Sequence, residues 1–229
     1  MLRHIFFDLD ETILDFTRSE AVALSRALRV FGREVSAHVI ERYHVLNISQ
    51  WKLMEEGQLS REGVLTRRFE LLFQELGWDL EDVPAFNDQY EIFLGEGHYF
   101  LPGAEELLKE LVLQYDLYLA TNGASSVQRG RLKSAGLEPY FKGIFISEEV
   151  GFNKPSLEYF QSAFATITNF DPAAAIIVGD SLTSDIRGGR NAGIRTCWLN
   201  PAGEDPRPDI IPDYTVRTLE ELPALLKTL

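Results

Sequence analysis

Short apolar runs and helical stripes alternate along most of the chain. His4-Ile5-Phe6-Phe7-Asp8 reads as a strand buried on both faces and ending abruptly in an acid, because such a strand shows a continuous apolar run and no polar alternation. Similar runs recur at Leu117–Thr121, Gly143–Ile146, Ala175–Val178 and Arg195–Leu199. Helical patterns lie between the later runs, at Ala104–Leu113, Val127–Ala135 closed by Gly136, Leu157–Ala165, and Ile186–Ala192 closed by Gly193. Glycine is a common helix stop. This alternation predicts an α/β fold with a five-stranded parallel sheet wrapped on both faces.

The stretch from 17 to 98 breaks that rhythm. Ala21, Leu24 and Leu28, then Leu65, Phe69, Leu72 and Leu76, keep a three- to four-residue spacing, which predicts an all-helical insert at 17–98 between core segments 1–16 and 99–229. Thr17 with Glu20 has the form of a capping box at its start. Gly95, Gly97, Pro102 and Gly103 mark its exit. Two chain crossings then join insert and core, an arrangement that can hinge or can pack rigidly. Four prolines in Pro201–Pro212 predict a surface loop before a last short strand and helix.

Composition narrows the possible ligands. With 22 Lys and Arg against 35 Asp and Glu, the net charge of −13 repels polyanions, so a nucleic-acid polymer is not an expected partner. A small phosphate ester remains possible, since one cation can reverse the potential inside a single pocket. Cys197, the one cysteine, excludes an internal disulfide, and Thr-Cys-Trp-Leu places it in a buried strand. The chain opens directly on an apolar strand with no long apolar segment. We therefore expect a cytoplasmic protein with no membrane partner, as a monomer or homodimer.

Four polar stations stand at or just beyond the C-terminal ends of expected strands, where open parallel sheets bind their ligands. They are Asp8-Leu9-Asp10-Glu11-Thr12, Thr121-Asn122-Gly123, Lys154-Pro155, and Gly179-Asp180-Ser181 followed by Asp185. Each has an ordinary alternative: aspartates cap turns, Thr-Asn-Gly can start a helix, and most lysines are solvated. Against these stands the abruptness with which Asp8 and Asp180 each follow an apolar run. Two carboxylates about 4 Å apart repel by roughly 4 kcal/mol at an effective dielectric near 20, and a divalent cation removes that conflict. Hard oxygen ligands favour Mg²⁺, and there is no His/Cys cluster to suggest zinc.

In these four stations the chain resembles the haloacid-dehalogenase superfamily, and with the helical insert the likeness covers nearly the whole length. The resemblance implies a Rossmann-like core with strand order 3-2-1-4-5 and a helical cap. It also implies Asp8 as the nucleophile forming an aspartyl-phosphate, and Asp10 as acid to the leaving oxygen and then base to water. Mg²⁺ would be held by Asp8, the Asp10 backbone carbonyl and Asp180, with Asp185 acting through water or Lys154. Thr121 and the Asn122 backbone would grip the phosphoryl oxygens, and Lys154 would supply positive charge. Glu11 departs from the pattern, because glycine is commonest there.

Asp10 argues against the dehalogenase and phosphonate-cleaving branches, which lack that aspartate. A closer similarity, to bacterial pyrimidine 5′-nucleotidases, lies in Ile146-Ser147-Glu148-Glu149-Val150-Gly151, Asn191-Ala192-Gly193, Thr196-Cys197-Trp198-Leu199-Asn200 and Arg68-Phe69-Glu70. It implies a nucleoside monophosphate such as UMP, dUMP or dTMP as substrate. The alternatives are a sugar or sugar-acid phosphatase or phosphomutase, and a non-catalytic regulatory relative, which the intact Asp8, Asp10, Thr121, Lys154, Asp180 and Asp185 argue against. Within the insert, Asn47, Trp51, Arg68 and Phe69 could meet a base, although Trp51 and Phe69 equally fit a packed apolar stripe.

Overall fold

The computed structural model describes all of residues 1–229. Its centre is a six-stranded sheet in the order β3-β2-β1-β4-β5-β6, parallel throughout. The strands are β1 (His4–Phe7), β2 (Asp116–Thr121), β3 (Gly143–Ile146), β4 (Ala175–Gly179), β5 (Arg195–Leu199) and β6 (Tyr214–Val216). The five expected strands thus stand in the expected order. The short strand after the proline-rich loop joins them as a sixth by pairing with β5 from Cys197↔Tyr214 onward. At three residues it is too short to produce a countable apolar run.

Successive residues of a strand point to opposite faces, and β1 divides accordingly. Ile5 and Phe7 join the cluster with Leu119, Val178 and Leu108 on one face. Phe6 joins Tyr118, Ile177 and Phe160 on the other. All four β1 side chains are buried, which explains why the segment shows no polar alternation.

Four helices follow β1: α1 (Phe16–Val30), α2 (Ala37–Glu55), α3 (Arg61–Leu76) and α4 (Val83–Gly95). They bury their own cluster, centred on Phe69, whose ring stacks on Tyr43 at 4.8 Å and meets Phe86 and Tyr90 edge-on at 5.0 and 5.1 Å. Phe69 is fully buried and does not line the cavity between insert and core, so it packs the bundle. The expected Thr17/Glu20 capping box does not form. Asp15 caps α1 by accepting from Arg18 N–H at 2.8 Å, while Glu20 turns inward to Asn47. A buried polar partner outcompeted the local cap.

The remaining helices are α5 (Ala104–Leu111), α6 (Ser125–Ala135), α7 (Ser147–Val150), α8 (Leu157–Ala165), α9 (Arg187–Asn191) and α10 (Leu222–Leu226). A π-helical turn at Leu182–Ile186 precedes α9 and shortens the helix expected there. The insert meets the core where α4 crosses α6. There Gly130 lies so close to Gly95 that a Cβ on Gly130 would sit 2.7 Å from the Gly95 carbonyl oxygen.

Candidate active site

Register brings the four stations together. Phe7 of β1 pairs with Leu119 of β2 and Val178 of β4, so the next residues of all three strands emerge at one rim of the sheet. Asp8 leaves β1 with its N–H still donating to the Val178 carbonyl at 3.0 Å, and Asp180 leaves β4 beside it. Asp185 joins them from the π-helical turn. Carboxylate oxygens of Asp8, Asp180 and Asp185 lie within 4.8 Å of one another. Gly179 makes this possible, because a Cβ there would fall 2.2 Å from Asp185 Oδ2. Trp198 of β5 fixes the adjoining backbone by donating from Nε1 to the Asp180 carbonyl at 2.7 Å.

One cation faces this trio. Lys154 Nζ donates to Asp8 Oδ1 at 2.7 Å, Asp185 Oδ1 at 2.6 Å and the Ala120 carbonyl at 2.6 Å, and is buried with them. Asn122 clamps the lysine backbone from both sides: its Nδ2 donates to the Lys154 carbonyl and its Oδ1 accepts the Lys154 N–H, each at 2.9 Å. The side chain of Asn122 therefore aligns Lys154, a task the sequence did not reveal. Thr121, at the end of β2, is buried, and its Oγ1 accepts from Gln128 Nε2 at 2.8 Å.

Asp10 stands outside the trio. Its carboxylate is taken by α6, with Oδ2 accepting from Gln128 Nε2 at 2.8 Å and Oδ1 paired with the fully buried guanidinium of Arg131. Gln128 thus bridges Asp10 and Thr121. It lies across Gly123, where a Cβ would meet Gln128 Nε2 at 2.4 Å. Sequence reading missed both α6 residues, although their i, i+3 spacing one turn beyond Thr121-Asn122-Gly123 places them on a single helix face. Glu11 lies in the left-handed region with φ 54°, which accounts for the preference for glycine at this place. Its Oε1 accepts from Thr17 N–H at 2.6 Å and Thr17 Oγ1 at 2.8 Å, tying the Asp8–Asp10 loop to the start of α1.

Burial dominates the electrostatics. It pushes the Asp8 carboxyl up to about 8, reinforced by Asp185 and Asp10 and opposed by Lys154. Asp180 is held well above the usual carboxylate range by burial, then by Asp8 and Asp185. Burial alone would lower Lys154, but Asp185 and Asp8 outweigh it and hold the ammonium protonated. Three crowded carboxylates therefore share one ammonium, so ionising all of them leaves an uncompensated negative cluster. A small divalent, oxygen-seeking cation fits this donor set, whereas a soft metal would find no thiolate or imidazole in it.

The cluster opens into a cavity of about 1060 Å³ whose walls include Asp8, Asp10, Thr121 and Lys154 from the core, and Asn47, Trp51 and Arg68 from the insert. The turn between α2 and α3 clasps both flanks of this space. Glu55 accepts from Thr183 Oγ1 and from Ser181 Oγ at 3.4 Å, and Arg61 donates to the Gly123 carbonyl at 3.0 Å, Asn153 Oδ1 at 2.5 Å and Ser147 Oγ.

A parallel sheet in this order, with a carboxylate-lysine cluster at its C-terminal rim, defines a class, and the family comparison agrees. The haloacid dehalogenase-like hydrolase model matches residues 2–193. The chain belongs to that family. It is 43% identical over 220 residues to YfnB of Bacillus subtilis (strain 168), named there only as an HAD-hydrolase, covering 96% of this chain and 93% of that one. The crystal structure of YfnB bound to magnesium, whose authors describe interdomain movement, superposes with a TM-score of 0.94 over 98% of both chains. Pyrimidine 5′-nucleotidase PynA of Streptococcus pneumoniae is 36% identical over 96% of this chain and 93% of its own length. Pyrimidine 5′-nucleotidase YjjG of Escherichia coli is 34% identical over 97% and 96%.

Proposed function

We propose that this chain hydrolyses pyrimidine nucleoside 5′-monophosphates such as UMP, dUMP and dTMP, in the cytoplasm, through a phosphorylated Asp8. The broader class is not in question: a haloacid dehalogenase-like hydrolase with nucleotidase relatives is a phosphoric monoester hydrolase. One observation carries the reading, namely the buried Asp8 carboxylate held 2.7 Å from Lys154 Nζ at the mouth of a cavity also lined by Asp10.

In this reading the free Asp8 oxygen attacks phosphorus in line, and the bond from phosphorus to the nucleoside oxygen breaks as the new Asp8–phosphorus bond forms. Asp10 gives its proton to the leaving oxygen. It then takes a proton from the water that attacks the phosphorylated Asp8, and inorganic phosphate departs. Gln128 and Arg131 hold the Asp10 carboxylate on the α6 side, away from the trio. The Thr121 hydroxyl, which accepts from Gln128, would donate its own proton to a phosphoryl oxygen, and Lys154 would balance the negative charge of the group in transfer. Asp8, Asp180 and the Asp10 carbonyl, with Asp185 behind them, would hold Mg²⁺, which when bound supplies further positive charge to the phosphoryl oxygens. The helical insert at 17–98 serves as the cap over this centre.

The test is a screen of nucleoside monophosphates, sugar phosphates and sugar-acid phosphates with Mg²⁺ or chelator, run beside Asp10→Asn. The expected result is Mg²⁺-dependent turnover that favours pyrimidine nucleotides, with kcat lowered roughly 100-fold or more in the variant. A profile biased to sugar phosphates, or near-normal turnover by Asp10→Asn, refutes the reading.

A further inference from the structure

The cavity extends past the carboxylates to a wall made by the insert, where a row of buried polar groups draws on all four insert helices. Glu20 of α1 accepts from Asn47 Nδ2 of α2 at 2.7 Å and pairs with His44 Nδ1 at 2.6 Å. Asn47 Oδ1 accepts from Trp51 Nε1 at 3.1 Å and faces Arg68 of α3 at 3.4 Å. Arg68 in turn donates to Asn87 Oδ1 at 2.8 Å and lies 3.3 Å from Glu91, both on α4. Glu20, Asn47 and Arg68 are only 1%, 0% and 2% exposed.

Stability does not account for this row. Burying charged and amide groups is no better for a bundle than filling the same volume with apolar side chains, and is often worse. The insert already has an aromatic core in Tyr43, Phe69, Phe73, Phe86 and Tyr90. The polar row lies on the side of that core that faces the cavity, since His44, Asn47, Trp51, Arg68 and Glu91 all line it. The contacts of Arg68 are also incomplete. Its Asn47 and Glu91 distances of 3.4 and 3.3 Å exceed a good hydrogen bond. Its Nε donates to the Leu65 carbonyl, also at a long 3.3 Å, so most of a planar guanidinium fork is held by long contacts that carbonyl oxygens of a ligand could replace. Beside it, the half-buried Trp51 ring, with Ile48 and Leu65, gives an apolar surface for a flat ring.

We propose that this row is the base-reading end of the site, with Arg68 and Asn47 hydrogen-bonding the carbonyl edge of a pyrimidine and Trp51 covering the ring. The inference rests on the nucleotidase reading and adds to it the residues that discriminate. A pyrimidine presents carbonyl acceptors that a bare sugar phosphate lacks, so these residues contribute to one substrate and not to the other.

The experiment measures kcat/KM for UMP and for ribose 5-phosphate in the wild-type enzyme and in Asn47→Ala, Trp51→Ala and Arg68→Gln, with a melting curve for each. We expect the UMP to ribose 5-phosphate ratio to fall roughly 10- to 100-fold in Arg68→Gln and Asn47→Ala. A smaller fall is expected in Trp51→Ala. If a variant melts early, Trp51→Phe and Trp51→Ala, at the half-buried rim, carry the comparison alone. Wild-type enzyme with no preference for UMP overturns the nucleotidase reading and this inference with it. Wild-type preference for UMP together with a ratio unchanged within twofold in all variants overturns the inference alone.

Discussion

Gly179 has no room for a side chain, because Asp185 Oδ2 occupies the place where its Cβ would go. Gly179→Ala must push Asp185 away from Lys154 and Asp8, and a forced shift in a packed site costs about 1–3 kcal/mol. We expect a melting temperature lower by several degrees and a larger loss of kcat than of substrate affinity, measured by calorimetry and steady-state kinetics; unaltered kinetics would show that Asp185 has freedom to move. At this scale the sequence pointed to Asp8, Asp180 and Thr121, which stand at strand ends aligned by the register Phe7↔Leu119 and Phe7↔Val178, and to Lys154, which lies beyond β3 and α7 and reaches them through its side chain. It did not announce what holds them. That Asn122 clamps the backbone of Lys154, that Glu11 anchors Thr17, and that Gln128 joins Asp10 to Thr121 all depend on side-chain directions that residue type leaves open.

Among the elements, the turn between α2 and α3 does the most for the site. Glu55 reaches the loop after β4 and Arg61 reaches the loops after β2 and β3, so one short segment spans the mouth of the cavity. Both ends are held by partly buried polar contacts, with burial raising Glu55 and lowering Arg61 from their ordinary values. The double variant Glu55→Ala, Arg61→Ala should change kcat and KM together, as is usual when a closing segment is loosened. Amide hydrogen exchange in residues 55–61 should quicken while that of α3 stays protected; exchange and kinetics both unchanged would mean the clasp has no part in turnover. Periodicity revealed the helices of the insert, and Ser60 before α3 with Gly77 after it are ordinary end signals. Nothing in that periodicity marks Glu55 or Arg61, since a charged residue at a helix end reads as solvated until a partner from another part of the chain is known.

At the scale of the whole molecule, strand-helix alternation was enough to expect five parallel strands, while their order came from the resemblance to the haloacid-dehalogenase superfamily. That the last short strand joins the sheet as β6, and that Asn47, Trp51 and Arg68 form one row with Glu20, Asn87 and Glu91, were not legible, since three residues make no pattern and the pairings depend on side-chain directions. The shared burial of the carboxylates has a consequence for the entire fold. Burial raises Asp8 from 3.8 to about 8. A carboxyl raised in this way gives stability that is complete below its unfolded value, about pH 4, and is lost as pH climbs through about 8. In chelator, therefore, the melting temperature should fall from pH 5 to pH 8 more steeply than in Asp8→Asn, and Mg²⁺ should raise it more at pH 8 than at pH 6. Scanning fluorimetry reads both, and an equal Mg²⁺ effect at the two pH values would contradict the placement of the cation at Asp8. The close seat of Gly130 against Gly95 reaches further still. A side chain at position 130 would part α6 from α4, so backbone meets backbone at this seam between insert and core. Arg131, which pairs with Asp10, is the next residue along from that contact, so a bulkier residue at 130 that pushed α6 back would loosen the hold on Asp10 as well.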